Sequence, residues 1–208
     1  MKNPDLKKRI LSLSYKYGLA HLGSCLSSVD ILDDIYRIKK PNEPFILSAG
    51  HCGVALYVIL EKYHKLDAET LWLKHGTHPN RDLLDHIYCS SGSLAQGIAV
   101  ATGYALADRT RDVYCLLGDG ELLEGMTWES LIIAKRFKLN NLKVYLNFNH
   151  YSAYQVTDDF LVYNLLKQFS PYIYINVYQT SYIDFPFLKG IDAHYHKLTD
   201  EEYKQYAT

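Results

Sequence analysis

Apolar residues recur along this chain at two spacings, every three or four residues and every one or two, and the spacings alternate. Leu6, Ile10, Leu13 and Tyr17 line one face of a helix over residues 4–17. A second helix is expected from Ser27, its N-cap, through Tyr36. Pro41 to Pro44 reads as a turn, Phe45 to Ser48 as a short buried strand, and Gly50-His-Cys-Gly53 as the opening of a helix running to about His64. Residues 74–93 are polar and rich in histidine, the character of a functional loop. A small-residue helix follows at 97–107, then a strand from Asp112 to Leu117, a helix from about Glu124 to Lys138, and a strand from Leu142 to Asn149. Beyond residue 160 the pattern weakens to a helix at 160–169, a strand at 172–178 and a charged helical tail at 197–206.

Strands alternating with helices predict an α/β fold, a mostly parallel sheet sandwiched by helices. The 208 residues fit a single domain, 1–208, with no repeats and no linker. Hydrophobic residues at 48% and charged residues at 22% are ordinary for a globular chain. A net charge of −1 gives no electrostatic case for nucleic acid or an anionic membrane. No signal peptide and no 18-residue apolar run is present, so a cytoplasmic protein is expected. Cys25, Cys52, Cys89 and Cys115 form no CxxC pair and read as buried free thiols. The 19 tyrosines, many after residue 145, point to a surface partly covered by something else.

Candidate chemistry concentrates at Gly118-Asp119-Gly120, at the carboxyl end of an apolar strand, the edge where open α/β sheets bind ligands. Glycines let backbone approach a phosphate, and free amides at a helix start favour anions. A carboxylate there makes sense with a hard cation between it and the phosphate. Asn149 ends the next strand and returns to the same edge, offering an amide oxygen as second ligand, with a backbone carbonyl just beyond as a third. Taken by itself, Gly-Asp-Gly fits an ordinary turn as well.

The segment from Gly118 through Ser130, with Asn140-Asn-Leu142 and Asn147-Phe-Asn149, resembles the thiamine-diphosphate motif of transketolases. Four upstream segments match in order: Gly18-Leu-Ala-His21-Leu-Gly23, Leu47-Ser-Ala-Gly-His51, Gly76-Thr-His78-Pro79 and Ser91 through Gly97. The resemblance covers residues 10–160 and implies a diphosphate-binding domain. It assigns Asp119, Asn149 and the Tyr151 carbonyl to Mg²⁺ or Ca²⁺. Gly118, Gly120 and Glu121 fall to the diphosphate turn, and Gly92 and Leu94 to the cofactor rings. His51 would meet a phosphate oxygen or the reacting centre, and His21 and His78 would line the substrate funnel, where imidazoles bind and protonate sugar oxygens. His194 resembles a further family histidine, with His196 as the competing alignment. Glu124 reads either as a first-turn glutamate favoured by the helix dipole or, by resemblance, as an interface residue paired with a partner's catalytic glutamate. His64, His75, His86 and His150 read as bystanders.

The implied activity is transfer of a two-carbon ketol unit from a ketose to an aldose, each a small phosphorylated or free sugar. No pyrimidine-binding domain follows in 208 residues. The expectation is therefore one subunit of a split enzyme, active only with a pyrimidine-domain partner, as a dimer of heterodimers. Two other readings stay open: a thiamine-diphosphate enzyme for a specialised sugar or acyloin substrate, and a truncated, non-catalytic scaffold or regulatory paralogue. The chain departs from the family after Asp159, where a strand, helix and strand look compressed into 172–190 and a crossover helix looks missing; Phe185 through Gly190 would stand for the last strand and its turn. Asn147, Phe148 and His150 are also unusual beside the expected metal, which puts cofactor affinity in question.

Overall fold

The computed structural model describes residues 1–180 and 184–207. In chain order the elements are α1 (Pro4–Tyr17), α2 (Leu22–Ile38), β1 (Phe45–Leu47), α3 (Gly53–His64), α4 (Ala68–His75), α5 (Gln96–Ala107), β2 (Val113–Gly118), α6 (Gly125–Arg136), β3 (Leu142–Phe148), α7 (Asp159–Phe169), β4 (Tyr174–Gln179) and α8 (Asp200–Tyr206). The four strands make one parallel sheet in the order β1-β2-β3-β4.

Strand alternation splits the core into two layers. Val113, Cys115 and Leu117 of β2 and Leu142, Val144 and Leu146 of β3 face a cluster completed by Ile98 and Ala101 of α5 and Leu131 and Ala134 of α6. Tyr114, Leu116 and Tyr145 point the other way, into a cluster with Ile10 of α1, Val29 and Ile35 of α2 and Tyr57 and Leu60 of α3. Both faces are thus covered, the condition under which an all-parallel sheet is stable. Helix ends follow local chemistry: Gly18 closes α1 at φ +59°, and Asp67 and Asp158 cap α4 and α7 through their side chains.

Three expectations need correction. Helix α2 starts at Leu22 rather than Ser27; Ser27 lies inside the helix, and its hydroxyl bonds the Ser24 carbonyl. Helix α4 occupies part of what reads as connection before residue 76, and the loop beyond it is closed by an antiparallel bridge between Asp82 and Ile87. The helix expected at 160–169 is present as α7, which carries the chain from β3 to a parallel β4, and among the described residues no helix lies between β4 and residue 190, where the crossover looked missing. Phe185 through Gly190 forms no strand: only a few residues separate it from β4, fewer than the ten or so a parallel crossover needs. That segment turns instead, with the Leu188 amide bonded to the Phe185 carbonyl and both side chains buried. Residues 181–183, within the expected compressed stretch, lie outside the described residues. The four cysteines are free and buried, as expected. Among the described residues no helix is long and apolar enough to cross a membrane.

A tight approach of α5 to the chain just past β1 sets a stability test. A Cβ on Gly97 would lie 2.4 Å from the Cα of Ser48, whereas one on Gly103 in the same helix meets nothing within 4 Å. Steric overlap at a backbone outweighs helix propensity, which favours alanine by only about 1 kcal/mol. Gly97→Ala is expected to destabilise by about 2 kcal/mol, and Gly103→Ala to stabilise by up to about 1 kcal/mol, read from urea midpoints.

Candidate active site

β2 and β3 run parallel with Gly118 opposite Asn147. The chain therefore leaves both strands at one level, Asp119 entering a short 3-10 turn (Asp119–Leu123) and Asn149 a loop. Asp119, Asn149 and Tyr151 line one cavity of about 160 Å³, together with Gly118, Gly120 and Glu121. His21, His51, His78 and His194 form its wall, with Gly92 and Leu94 at one side.

Asp119 is 2% exposed. Its oxygens accept hydrogen bonds from the Thr157 hydroxyl at 2.7 Å and the Gly120 amide at 3.1 Å. Among the described residues no cationic side chain pairs with it. Burial consequently raises its pKa to about 6, opposed by those hydrogen bonds. Asn149 is also buried, its Oδ1 accepting the Tyr151 amide at 3.0 Å. A buried carboxylate without a counter-charge, beside an amide oxygen and a loop carbonyl, is an all-oxygen donor set of the kind that fits Mg²⁺ or Ca²⁺.

Glu121 is fully buried, and its two carboxylate oxygens take three protein donors: the Ser48 hydroxyl, the Ala95 amide and the Gly118 amide. Burial raises its pKa to about 7. Gly50 lies so close to the Ser91–Gly92 turn that a Cβ there would sit 2.5 Å from the Gly92 nitrogen. Gly92 has φ +151° and lies against the His78 ring. The turn carrying His51 and the turn carrying Gly92 are thus in direct contact.

The four wall histidines come from distant parts of the chain. Ring centroids of His21 and His194 are 4.3 Å apart, His21 and His51 5.6 Å, and His21 and His78 6.0 Å. His21 adopts φ +63°, its amide bonded to the His194 carbonyl, and its Nδ1 is buried without a partner. Desolvation first, then the neighbouring imidazoles, lowers the His21 pKa to about 4 and that of His51 to about 3; burial also lowers His194. These three imidazoles are therefore neutral near pH 7, with ring nitrogens able to donate or accept.

Geometry separates the competing histidines. His194 reaches the cavity, whereas His196 pairs with Glu202 at 2.8 Å and packs on Phe187. His75 bonds Asp85, His64 stacks on His86, and His150 packs on Phe148, all outside the cavity lining. Glu124 is exposed at the start of α6 and does not line the cavity. Ser24, Ser152, Ala153 and Tyr154 do line it, beyond the residues singled out from sequence, and so does Asn147, which the sequence placed beside the expected metal. The two-residue strand period puts Asn147 on the face of Asn149.

Residues 15–184 match the family model of the transketolase thiamine-diphosphate-binding domain. The chain belongs to the transketolase family. Human transketolase is 34% identical over 155 residues, covering 64% of this chain and 24% of that protein. An apulose-4-phosphate transketolase subunit of Phocaeicola vulgatus is 32% identical over 174 residues, covering 74% of this chain and 61% of that one. The chain thus spans about a quarter of full-length transketolases and under two thirds of the Phocaeicola protein. A transketolase structure from Campylobacter jejuni shares the fold, with a TM-score of 0.77 at 20% identity over 98% of this chain and 42% of the other.

An NMR pH titration of the full chain is expected to leave the His21 and His51 imidazoles unprotonated down to about pH 5, with midpoints about 4 and about 3. Midpoints near 6.5 would show a solvated cluster. These histidines support the fold fully above pH 6.5 and less as pH falls, since the unfolded chain protonates first. Asp119 and Glu121 oppose that trend, the native carboxyls keeping protons that the unfolded chain has released.

Proposed function

We propose that this chain is the diphosphate- and metal-binding part of a transketolase that transfers a two-carbon ketol unit from a ketose to an aldose. The observation that carries this reading is the convergence of an unpaired buried Asp119 and Asn149 with four imidazoles on one cavity. Asp119, the Asn149 amide oxygen and the Tyr151 carbonyl would hold Mg²⁺ or Ca²⁺. The Gly120 amide, which here donates to Asp119, would meet the diphosphate, and Gly92 and Leu94 would lie against the rings. Thiamine diphosphate, when bound, supplies the carbon nucleophile that accepts and releases the ketol unit. His51 reaches the phosphate end or the reacting centre, while His21, His78 and His194 orient sugar oxygens and move protons there. The neutral rings of His21, His51 and His194 suit the binding part of that work because each offers one ring nitrogen that donates a hydrogen bond and one that accepts.

Two features support a pyrimidine-domain partner in a dimer of heterodimers. The Phocaeicola relative, of which this chain covers 61%, is itself named a transketolase subunit. Glu124 stands exposed beside the exposed apolar Leu123 and Met126, a surface suited to an interface. Four free buried thiols fit the reducing cytoplasm. The shortened region after β4 motivates the scaffold reading, but no cavity-lining group lies on a missing strand. The wall histidines favour a sugar over an acyloin substrate.

Calorimetry should find the chain binding thiamine diphosphate only with Mg²⁺, and EDTA should abolish the binding. Asp119→Ala should weaken it by at least about tenfold. With a pyrimidine-domain partner present, ketose and aldose should be interconverted. Wild-type affinity in Asp119→Ala, or no binding by the wild type, would sink the enzymatic reading.

A further inference from the structure

Resting on that reading, we propose that Glu121 is a positioning residue that sets the separation between the diphosphate turn and the ring turn, so that one cofactor molecule meets both at once. Its side chain is fully buried. One carboxylate oxygen accepts from Gly118 N at 2.9 Å, in the strand end that opens into the metal turn. The other accepts from Ala95 N at 2.9 Å, the residue following Gly92-Ser-Leu94, and from the Ser48 hydroxyl at 2.5 Å. Ser48 precedes Ala49-Gly50-His51, and its hydroxyl also accepts the Ile98 amide at 3.1 Å. Three segments that hold different parts of the site therefore converge on one carboxyl group.

A carboxylate suits this place because all three groups present hydrogens to it. Glutamine fills the same space but carries two hydrogens on one end. Either orientation sets its NH₂ against a backbone N–H, of Gly118 or of Ala95, and drives one turn from the other. Ala95 has φ +65°, so the turn it closes has little freedom to compensate. The carboxylate oxygens are taken up by protein donors; Glu121 acts through the two turns and is not itself a ligand of the diphosphate.

Two probes distinguish spacing from simple support. Mg²⁺-pyrophosphate touches only the diphosphate turn, whereas Mg²⁺-thiamine diphosphate must satisfy both turns. Calorimetry on the full chain is expected to show Glu121→Gln binding Mg²⁺-thiamine diphosphate at least about tenfold more weakly, with Mg²⁺-pyrophosphate within about threefold of wild type. Ser48→Ala, which keeps both backbone bonds to the carboxylate, should show the same selectivity in milder form, about threefold for the cofactor. It decides the matter if Glu121→Gln does not fold. Equal loss for both probes, or loss for neither, overturns the positioning role. A wild-type chain that binds neither probe overturns instead the functional reading on which this rests.

Discussion

Parallel pairing of β2 with β3 is the constraint from which the site follows. Their register puts Gly118 beside Asn147, so the two chain segments that carry Asp119 and Asn149 leave the sheet side by side and on its carboxyl edge. Nothing local to either motif ensures this. It depends on Val113, Cys115 and Leu117 sharing one apolar layer with Leu142, Val144 and Leu146, since a slip of one residue would turn each set to the wrong face. Helix α5 then presses on the same sheet through Gly97, which brings the Gly92–Ala95 turn within reach of the buried Glu121.

Much of this was legible in the amino-acid sequence, and the residues show why. The strands read as short apolar runs, α1 from its three- and four-residue apolar spacing and α5 from its small residues, and the Gly-Asp-Gly turn stands out through its motif resemblance and its place at the carboxyl end of a buried strand. The start of α2 was misplaced because Ser27 has the chemistry of a cap, whereas the actual start is set by His21 in the left-handed region and its tertiary bond to His194. Such a constraint has no local signature. The same holds for Thr157, whose hydroxyl reaches Asp119 across 38 positions, and for the choice of His194 over His196, which depends on a fold in the chain end.

The electrostatics of the cavity suit the cation proposed above. Burying Asp119 with neutral partners alone raises its pKa to about 6, a strained condition for a carboxylate near neutrality. A divalent ion held there, as proposed above, would supply a counter-charge, with the Asn149 oxygen that now accepts the Tyr151 amide as a further donor. On the opposite wall His21 and His51 are held neutral by burial and by the neighbouring imidazoles, so they add no positive charge to compete with the ion. A carboxylate floor and a neutral imidazole wall thus give the two sides of the cavity different electrostatic character.

The short C-terminal region matters less to this arrangement than its departure from the family pattern implies. The unusual Asn147 is a tie and not a defect: its amide donates to Ser27 and Ser28 of α2, and its oxygen accepts the hydroxyl of Thr180, just past β4. An ionised aspartate could not make this set of contacts, because it has no hydrogen to give the two serines. With asparagine there, the end of β4 anchors the strand that leads to Asn149. The carboxyl edge of the sheet is thus tied both to α2 and to the residue after β4. Where a fifth strand would add its layer, Phe185 and Leu188 fold back into the α1–α3 side of the core and His194 returns to the cavity. The chain end thus supplies one wall of the cavity through His194, as its resemblance to a family histidine implies.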